Sequence, residues 1–279
     1  MNKLLFNGVF AVHKPTGMLS GSVVKFLDLA LTGKKPILEK LATAQKVSYR
    51  NRLKIGHGGT LDPLASGVLI IGLGTGCKQL QQYLSCTKVY EATGILGSAT
   101  DTYDSCGQVT RVAPFEHVTS EQFEKCLEQF RGEITQIPPI YSALRMQGVR
   151  LYDYARKGLP LPAEIKARPV KIHSLESLEF TSKHSYNTTN NGIQAETSLE
   201  PCTPPIFRIR VACGGGTYIR SLIYDIGEQL DSAAHMVQLK RTEQGGFVLG
   251  KDTLELEECC DIDKIRDAIN HSKTLLSQK

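Results

Sequence analysis

The residue of this sequence best placed for chemistry is an aspartate in a loop dense in glycine. Residues 56–63 read Gly-His-Gly-Gly-Thr-Leu-Asp-Pro, and the aspartate is Asp62. Because glycine has no side chain, such a loop lets the backbone of another molecule come close to the carboxylate. The alternative is structural, since an Asp-Pro pair often begins a helix, with Asp62 as the N-cap and Pro63 in the first turn. Taken alone, Asp62 favours that alternative.

Three other features have both a functional and a structural interpretation. Residues 214–220 (Gly-Gly-Gly-Thr-Tyr-Ile-Arg) follow a predicted strand and open a predicted helix, a junction that can bind phosphate or simply allow a tight turn. Residues 72–76 (Gly-Leu-Gly-Thr-Gly) hint at a dinucleotide loop, but they lack the last glycine of G-x-G-x-x-G. His57 is a candidate ligand contact, although a histidine in a turn is usually a polar loop residue.

Hydrophobic spacing predicts the elements that must position these loops. Strands are predicted at Val9–Val12, Val89–Leu96, Val170–Phe180 and Ile206–Cys213, and a strand or short helix at Val68–Leu73. Helices are predicted at Val23–Leu31, Ser120–Phe130 with Ser120 as its cap, Tyr218–Leu230 and Ile262–Leu276. Strands and helices alternate irregularly, which favours a mixed α/β (α+β) sheet over a regular doubly wound one.

Basic residues are concentrated in two segments. The formal net charge is +5, and residues 33–54 alone contribute +6. Residues 141–171 contain seven basic residues against two acidic ones. Such patches suit a polyanion such as nucleic acid, while solvated helix faces are the ordinary alternative.

Composition excludes several classes of protein. Hydrophobic residues make up 41% and charged residues 22%, as in globular proteins. No apolar run reaches the roughly 18 residues of a membrane helix. The eight cysteines form no C-x-x-C pair, and we see neither a secretory signal nor an arginine-rich presequence, so we expect reduced thiols in an intracellular protein. Ser182–Pro205 is polar and is interpreted as a flexible insertion.

Taken together, the motifs resemble the TruB family of tRNA pseudouridine synthases. Residues 56–69 resemble the family's catalytic signature, and five further blocks follow the family order from Gly8 to Phe247. These blocks are Lys14-Pro15-Thr16-Gly17, Lys88-Val89-Tyr90, Thr100–Asp104, Pro138–Arg145 with Tyr152–Gly158, and the late pair Gly216–Arg220 and Leu239–Thr242.

The resemblance implies an enzyme that isomerises the T-loop uridine, tRNA position 55, to pseudouridine without a cofactor or a metal. Asp62 would attack the ribose C1′ or stabilise positive charge there, and both routes stay open. Arg220 would pair with the catalytic aspartate and keep it ionised. Tyr90 would stack on the target base, with its hydroxyl as a candidate proton acceptor. The alternative for Arg220 is an ordinary surface helix residue, and the alternative for Tyr90 is a half-buried strand aromatic.

The resemblance also implies the residues that bind substrate. The target nucleotide must flip out of its stack, and His57 would pack near the vacated space. Lys14 would contact phosphates and Leu239 would line the uracil pocket, although a plain core leucine is almost as good an interpretation of Leu239. The remaining expected contacts are Lys88, Tyr218, Arg145 and Tyr141. The basic stretch Arg145–Arg168 would add salt-dependent affinity for phosphates.

The expected architecture is a pseudouridine synthase catalytic fold, with a mixed, largely antiparallel sheet flanked by helices and carrying RNA-binding insertions. The catalytic domain would span residues 1–250, with a basic insertion at 33–54, an RNA-gripping segment at 137–168 and a flexible insertion at 182–205. Residues 251–279 would form an acidic, then helical tail without a C-terminal RNA-binding barrel.

The expected partners and location follow from the same resemblance. The partner would be the tRNA T-arm, with structured mRNA elements as further candidates, and the protein would be a monomer without membrane contact. The compartments open to it are the nucleus, cytoplasm and mitochondrion. The alternative function is an RNA-binding or tRNA-folding protein with secondary or no catalysis. A nucleotide-cofactor enzyme is set aside, because residues 72–76 lack the last glycine of the G-x-G-x-x-G motif and an acidic partner of obvious register.

Overall fold

The computed structural model describes residues 7–31, 54–181, 185–189, 192–196 and 204–277. Apart from Lys54, the predicted basic insertion lies outside these residues. The predicted insertion 182–205 is described only at its two strands and at its last two residues. The chain divides into two compact units, a first unit of Met1–Tyr90 with Leu239–Lys279 and a second unit of Glu91–Gln238.

The described chain contains strands and helices in irregular order. The strands are β1 (Gly8–Lys14), β2 (Ile55–His57), β3 (Ser66–Leu73), β4 (Lys88–Leu96), β5 (Ser98–Thr100), β6 (Val109–Val112), β7 (Gly132–Gln136), β8 (Arg145–Met146), β9 (Val149–Arg150), β10 (Arg168–Thr181), β11 (Ser185–Thr189), β12 (Gly192–Glu196), β13 (Ile206–Cys213), β14 (Ala234–Gln244), β15 (Phe247–Val248) and β16 (Thr253–Leu254). The helices are α1 (Ser20–Leu31), α2 (Leu80–Ser85), α3 (Ser120–Gln129), α4 (Leu151–Arg156), α5 (Ile219–Gln229) and α6 (Ile262–Ser277).

In the first unit, β3 is the central strand. It pairs antiparallel with β1 and β2 and parallel with β14 at Arg241 opposite Gly67. Seven of its eight residues are buried, which explains the continuous apolar run in the sequence. Residues of α1 and α6 pack with the apolar side chains of β1 and β3 in one core cluster. The C-terminal helix is tied to β1 by a hydrogen bond of 2.6 Å from Ser272 Oγ to the Val9 carbonyl.

In the second unit, β13 pairs antiparallel with β10, and β10 with β7. Exposed and buried residues alternate in the middle of β13, where Arg208 and Arg210 are exposed and Ile209 and Val211 are buried. Helix α3 inserts Phe123 among strand aromatics, 4.9 Å from the ring centre of Phe207 and 5.0 Å from that of Phe180. These contacts give the unit its own core.

The predicted fold class is confirmed, because both units contain mixed or antiparallel sheet flanked by helices. The predicted helices and strands are present, and Val68–Leu73 is a strand. The predicted cap of α3 is wrong. Thr119 holds that position, its side chain accepting from the Gln122 N–H while the Gln122 side chain accepts from the Thr119 N–H. Within the described residues, no helix is both long and apolar enough to span a bilayer.

We predict that Thr119→Ala lowers the free energy of unfolding by about 1 kcal/mol, because it removes one half of this capping box. Ser120→Ala is the matched control, one residue further along, and should change stability by less than about 0.5 kcal/mol. Urea denaturation of both variants measures the difference. A larger loss in Ser120→Ala than in Thr119→Ala would contradict the assignment of the cap.

Candidate active site

Asp62 lies in a loop between β2 and β3, which we call the Asp62 loop (residues 58–65). β2 pairs with β3 up to His57, and the Gly58 N–H continues the ladder with a bond of 2.8 Å to the Ile70 carbonyl. Asp62 is half-buried and is the first residue of a turn. The turn is closed by a hydrogen bond of 3.1 Å from the Ala65 N–H to the Asp62 carbonyl. β3 follows at Ser66. The helix-start interpretation of Asp62 is therefore wrong.

The backbone on both sides of Asp62 is held by a residue of α1 and by a residue of the turn between β1 and α1. Ser20 Oγ donates to the Leu61 carbonyl at 3.0 Å and accepts from the Leu61 N–H at 2.9 Å. On the other side, the Gly17 N–H donates to the Pro63 carbonyl at 2.8 Å. Because the backbone is fixed on both flanks, the main chain of Asp62 has a defined position on the loop.

The glycines of the loop are held by two side chains from β14. Arg241 Nη2 donates to the Gly59 carbonyl at 3.0 Å, and Gln244 Nε2 donates to the Gly58 carbonyl. Gly59 has φ +120°, and a Cβ there would lie 2.9 Å from Gln244 Nε2. Only glycine fits such a close approach in this backbone conformation. The glycine density of the motif thus has a packing reason in addition to any substrate contact.

Lys14 is fully buried beneath the same loop. Its Nζ donates to the carbonyls of Met18 at 2.6 Å, Pro15 at 2.8 Å and Pro63 at 3.4 Å. Burial lowers the pKa of Lys14 to about 8, with the negative charge of Asp62 opposing this shift and the positive charge of Arg241 adding to it. In this structure the ammonium holds the turn after β1 against the Asp62 loop, and its contact with phosphates stays a prediction.

The other candidate residues of the first unit lie on β2, β4 and β14. Tyr90 is buried on β4, and its hydroxyl accepts a hydrogen bond of 3.5 Å from Arg241 Nη1. Lys88, also buried, donates to the carbonyls of Leu84 at 2.9 Å and Cys86 at 2.8 Å, at the end of α2. Leu239 is buried on β14 and His57 is half-buried at the end of β2. Their contacts with substrate stay predictions.

The second unit brings Arg220 and Tyr141 into direct contact. Arg220 is in the first turn of α5 and is 4% exposed. Its Nη2 donates to the Tyr141 carbonyl at 2.9 Å and its Nη1 to the Thr102 carbonyl at 2.8 Å. The guanidinium thus joins two segments, the polar turn after β5 and the segment after β7. The alternative of an ordinary surface helix residue is wrong for Arg220, because it is buried.

A buried carboxylate that the sequence analysis missed stands beside Arg220. Asp104 Oδ2 lies 3.8 Å from Arg220 Nε. Its Oδ1 accepts from Thr102 Oγ1 at 2.7 Å and from the Cys106 N–H at 3.0 Å. In the sequence, only the position of Asp104 in the Thr100–Asp104 block marked it as a candidate. Local sequence patterns do not reveal its contact with Arg220, which is 116 positions away.

Tyr218 and Arg145 are placed differently. The main chain of Tyr218, the N-cap of α5, exchanges two hydrogen bonds with the buried Gln136 side chain, at 3.1 and 3.3 Å. Arg145 is exposed on the β8–β9 hairpin, whose turn residues Gln147 and Gly148 have φ of 49° and 80°. Arg145 Nη1 donates to the Gly148 carbonyl at 2.7 Å. Arg145 therefore presents its charge to solvent, whereas Arg220 does not.

Comparison with known proteins assigns the family. The model of the TruB family pseudouridylate synthase N-terminal domain matches residues 45–219, and that of the tRNA pseudouridylate synthase B C-terminal domain matches residues 220–277. The chain belongs to the TruB family. The Homo sapiens pseudouridylate synthase TRUB1 is 41% identical over 272 residues, which cover 98% of this chain and 70% of that protein.

Two further relatives of this TruB family chain extend the comparison. The Schizosaccharomyces pombe tRNA pseudouridine synthase 4 is 34% identical over 325 residues, covering 87% of this chain and 79% of the relative. Among solved structures, a Cbf5-Nop10-Gar1 complex contains a chain with a TM-score of 0.61 and 26% identity. That match covers 95% of this chain and 60% of the other. The expected pseudouridine synthase fold is confirmed.

In this TruB family member, each unit gathers its own set of candidate residues. The first unit places Lys14, Arg241 and Gln244 on the backbone of the Asp62 loop, and the second joins Arg220 with Tyr141. Arg241, Gln244 and Asp104 were missed as site residues because their contacts are long-range. Among the described residues, no group of three or more His, Cys, Asp or Glu side chains is arranged to hold a metal ion.

We predict that the stability of the folded protein depends on pH through Lys14. Between about pH 8 and 10.5 the unfolded chain holds the Lys14 proton and the folded chain releases it, so the free energy of unfolding rises with pH in this window. Relative to Lys14→Met, the wild type should gain about 3 kcal/mol across the window. Urea denaturation of both proteins at several pH values measures this gain. A difference that does not vary with pH would contradict it.

We also predict that Asp104→Asn destabilises the protein by about 3 kcal/mol, because it removes a buried negative charge beside the buried Arg220 guanidinium. Asp101→Asn is the matched control. That exposed carboxylate in the same turn accepts one backbone hydrogen bond, from the Gln108 N–H at 2.8 Å, so a loss below about 1 kcal/mol is expected. Thermal and urea unfolding test the pair, and equal losses in the two variants would count against the Arg220–Asp104 interaction.

Proposed function

We propose that this protein is a tRNA pseudouridine synthase that isomerises the T-loop uridine, at tRNA position 55. One observation carries the proposal. The loop with the family's catalytic signature presents Asp62 half-buried, with its backbone fixed on both flanks by Ser20, Gly17 and Lys14. Membership of the TruB family and the presence of Tyr90 and Arg220 in their family blocks support the same function.

The reaction breaks the bond between uracil N1 and ribose C1′, turns the base and joins C5 to C1′. The C5 hydrogen leaves as a proton and N1 gains one, so atoms and charge balance without a cofactor. We propose that Asp62 attacks C1′ or stabilises positive charge there, that Tyr90 stacks on the base, and that Arg220 is the arginine that pairs with the catalytic aspartate, as its family block implies. A carboxylate on a fixed backbone suits either role, because fixed placement of the main chain lowers the cost of orienting the group during the reaction.

Tyr90 is supported as the base-stacking residue by its position on β4. Its side chain is 7% exposed, and the guanidinium carbon of Arg241 lies 6.0 Å from its ring centre. An aromatic ring held in this way keeps its orientation, and stacking on a base is tolerant of base identity. Leu239 lies on β14, the strand that also carries Arg241. We propose that Leu239 adds apolar contact for the uracil ring.

RNA contact is supported by an exposed basic cluster in the second unit. The Tyr152 ring has the guanidinium carbons of Arg150 and Arg156 at 5.5 and 5.3 Å from its centre. With Arg145 on the adjoining hairpin, these residues form a cationic surface around one aromatic side chain. Such a surface suits the phosphates and exposed bases of a folded RNA arm. We propose that the cluster binds the T-arm.

The domain organisation and the setting of the enzyme are part of the same proposal. Residues 1–250 would form the catalytic domain and residues 251–279 its C-terminal tail. The protein would act as a monomer on the T-arm and on structured mRNA elements that resemble it. The nucleus, cytoplasm and mitochondrion are the compartments in which these RNAs occur.

The test is release of tritium from C5-labelled uridine in a T-arm stem-loop. Asp62→Asn should lower the rate at least about a thousandfold, since it removes the reacting carboxylate while keeping shape. Filter binding should show RNA affinity within about threefold of the wild type, because phosphate contacts dominate affinity. Asp101→Asn, exposed and outside the family's catalytic signature, is the matched control and should keep wild-type release.

Two outcomes would contradict the proposal. Wild-type activity in Asp62→Asn would exclude this carboxylate from the chemistry. Tight RNA binding by the wild type without any tritium release would instead support an RNA-binding or tRNA-folding protein, for which the basic cluster around Tyr152 would suffice.

A further inference from the structure

One buried guanidinium connects three pieces of the first unit. Arg241 Nε donates to the Val68 carbonyl of β3 at 2.7 Å, and Nη2 donates to the Gly59 carbonyl of the Asp62 loop at 3.0 Å. Nη1 donates to the hydroxyl of Tyr90 on β4 at 3.5 Å. The three nitrogens of the group thus each have a different structural element as partner.

The surroundings of Arg241 make these contacts strong. The residue is 1% exposed, so water does not compete for its hydrogen bonds. The backbone of Arg241 also packs closely against β3. A Cβ on Gly67 of β3 would lie 2.1 Å from the Arg241 carbonyl oxygen, so no larger residue fits there. Gly67 has φ +113°, which also favours glycine. Backbone and side chain contacts together therefore hold Arg241 of β14 against β3. The guanidinium thus has a fixed position relative to the Asp62 loop and Tyr90.

The shape of the guanidinium matters as much as its charge. A planar fork donates in several fixed directions, whereas a lysine ammonium sits at one point on a flexible stem. A lysine at this position could reach one of the three oxygen acceptors and would leave the other two without this donor. Gln244 supports the same loop at Gly58, but it does not replace the contact with Tyr90.

We propose that Arg241 is a positioning residue that sets the Asp62 loop and Tyr90 in a fixed relation to each other. The inference rests on the proposed function in assigning chemistry to Asp62 and Tyr90, while the loop geometry stands independently of it. Arg241 does not itself touch the reacting atoms. Its removal should therefore slow the chemical step without weakening RNA binding.

The experiment compares Arg241→Lys with the wild type in two readouts. In steady-state assays on the T-arm stem-loop, kcat should fall about 10- to 100-fold while KM stays within about threefold, because misplacing a reacting group by about 1 Å costs that much. In hydrogen exchange of the full chain, the amides of Gly58, Leu61 and Ala65 should exchange about tenfold faster or more, since the loop is released locally.

Arg208→Lys is the matched control. Arg208 is exposed on β13, where it lies 3.5 Å from Glu179 and 3.9 Å from Glu91, and its replacement should change neither readout. If Arg241→Met folds, as thermal unfolding will show, it should reproduce the effects of Arg241→Lys and exceed them.

The outcomes separate the two proposals. Unchanged exchange of the loop amides in Arg241→Lys would overturn the positioning role, whatever the activity. A rise in KM with kcat unchanged would overturn it as well, by making Arg241 a binding residue. Faster loop exchange together with an inactive wild type would uphold the positioning of the loop and reject the proposed function instead.

Discussion

The structure of the first unit depends on buried donors that satisfy the carbonyl groups of the Asp62 loop. Four carbonyl groups of that loop, those of residues 58, 59, 61 and 63, accept hydrogen bonds from Gln244, Arg241, Ser20 and Lys14, respectively. A loop that leaves the sheet carries backbone groups that would be costly to bury unpaired. Supplying them from side chains of β1, α1 and β14 turns a glycine-rich segment, which is intrinsically flexible, into one with a single backbone path.

Buried cations serve the same purpose in both units. Lys14, Lys88, Arg220 and Arg241 are each less than a tenth exposed, and each donates to main-chain carbonyl oxygens. The exposed cations are different residues, among them Arg145 and Arg156. Basic residues in the family blocks thus divide into those that shape the chain and those left for a polyanion. Formal charge along the sequence does not distinguish them, because the distinction is one of burial.

Much of the fold could be predicted from the sequence. Periodicity located β1, β3, β4, β10 and β13 and four of the helices, since an alternating strand such as β13 or an apolar run such as β3 records which faces are buried. It did not reveal β14, the strand that carries Arg241 and Gln244. The order of the motifs along the sequence identified the Asp62 loop and the family of the protein. Local signals failed where two local patterns competed. Ser120 and Thr119 are both good caps, and the choice depends on Gln122 lying at the right distance from Thr119.

The positioning residues could not be found in the same way. Arg241 contacts the Gly59 carbonyl across 182 positions of sequence, and Arg220 contacts that of Thr102 across 118. Neither partner is a side chain, so no pairing of residue types marks the contact. The Asp-Pro pair at Asp62 likewise matched a helix start, but tertiary hydrogen bonds at Leu61 and Pro63 help to hold it as a turn leading into β3.

The most direct test of this account is hydrogen exchange at one amide of the wild-type protein. The Leu61 N–H donates to the buried Ser20 Oγ at 2.9 Å, so it should exchange only on large-scale unfolding, as slowly as amides in the middle of β3. In Ser20→Ala it should exchange much faster while the β3 amides do not change. Fast exchange of Leu61 in the wild type would show that the loop is not fixed, and would contradict the claim that buried donors define the position of Asp62.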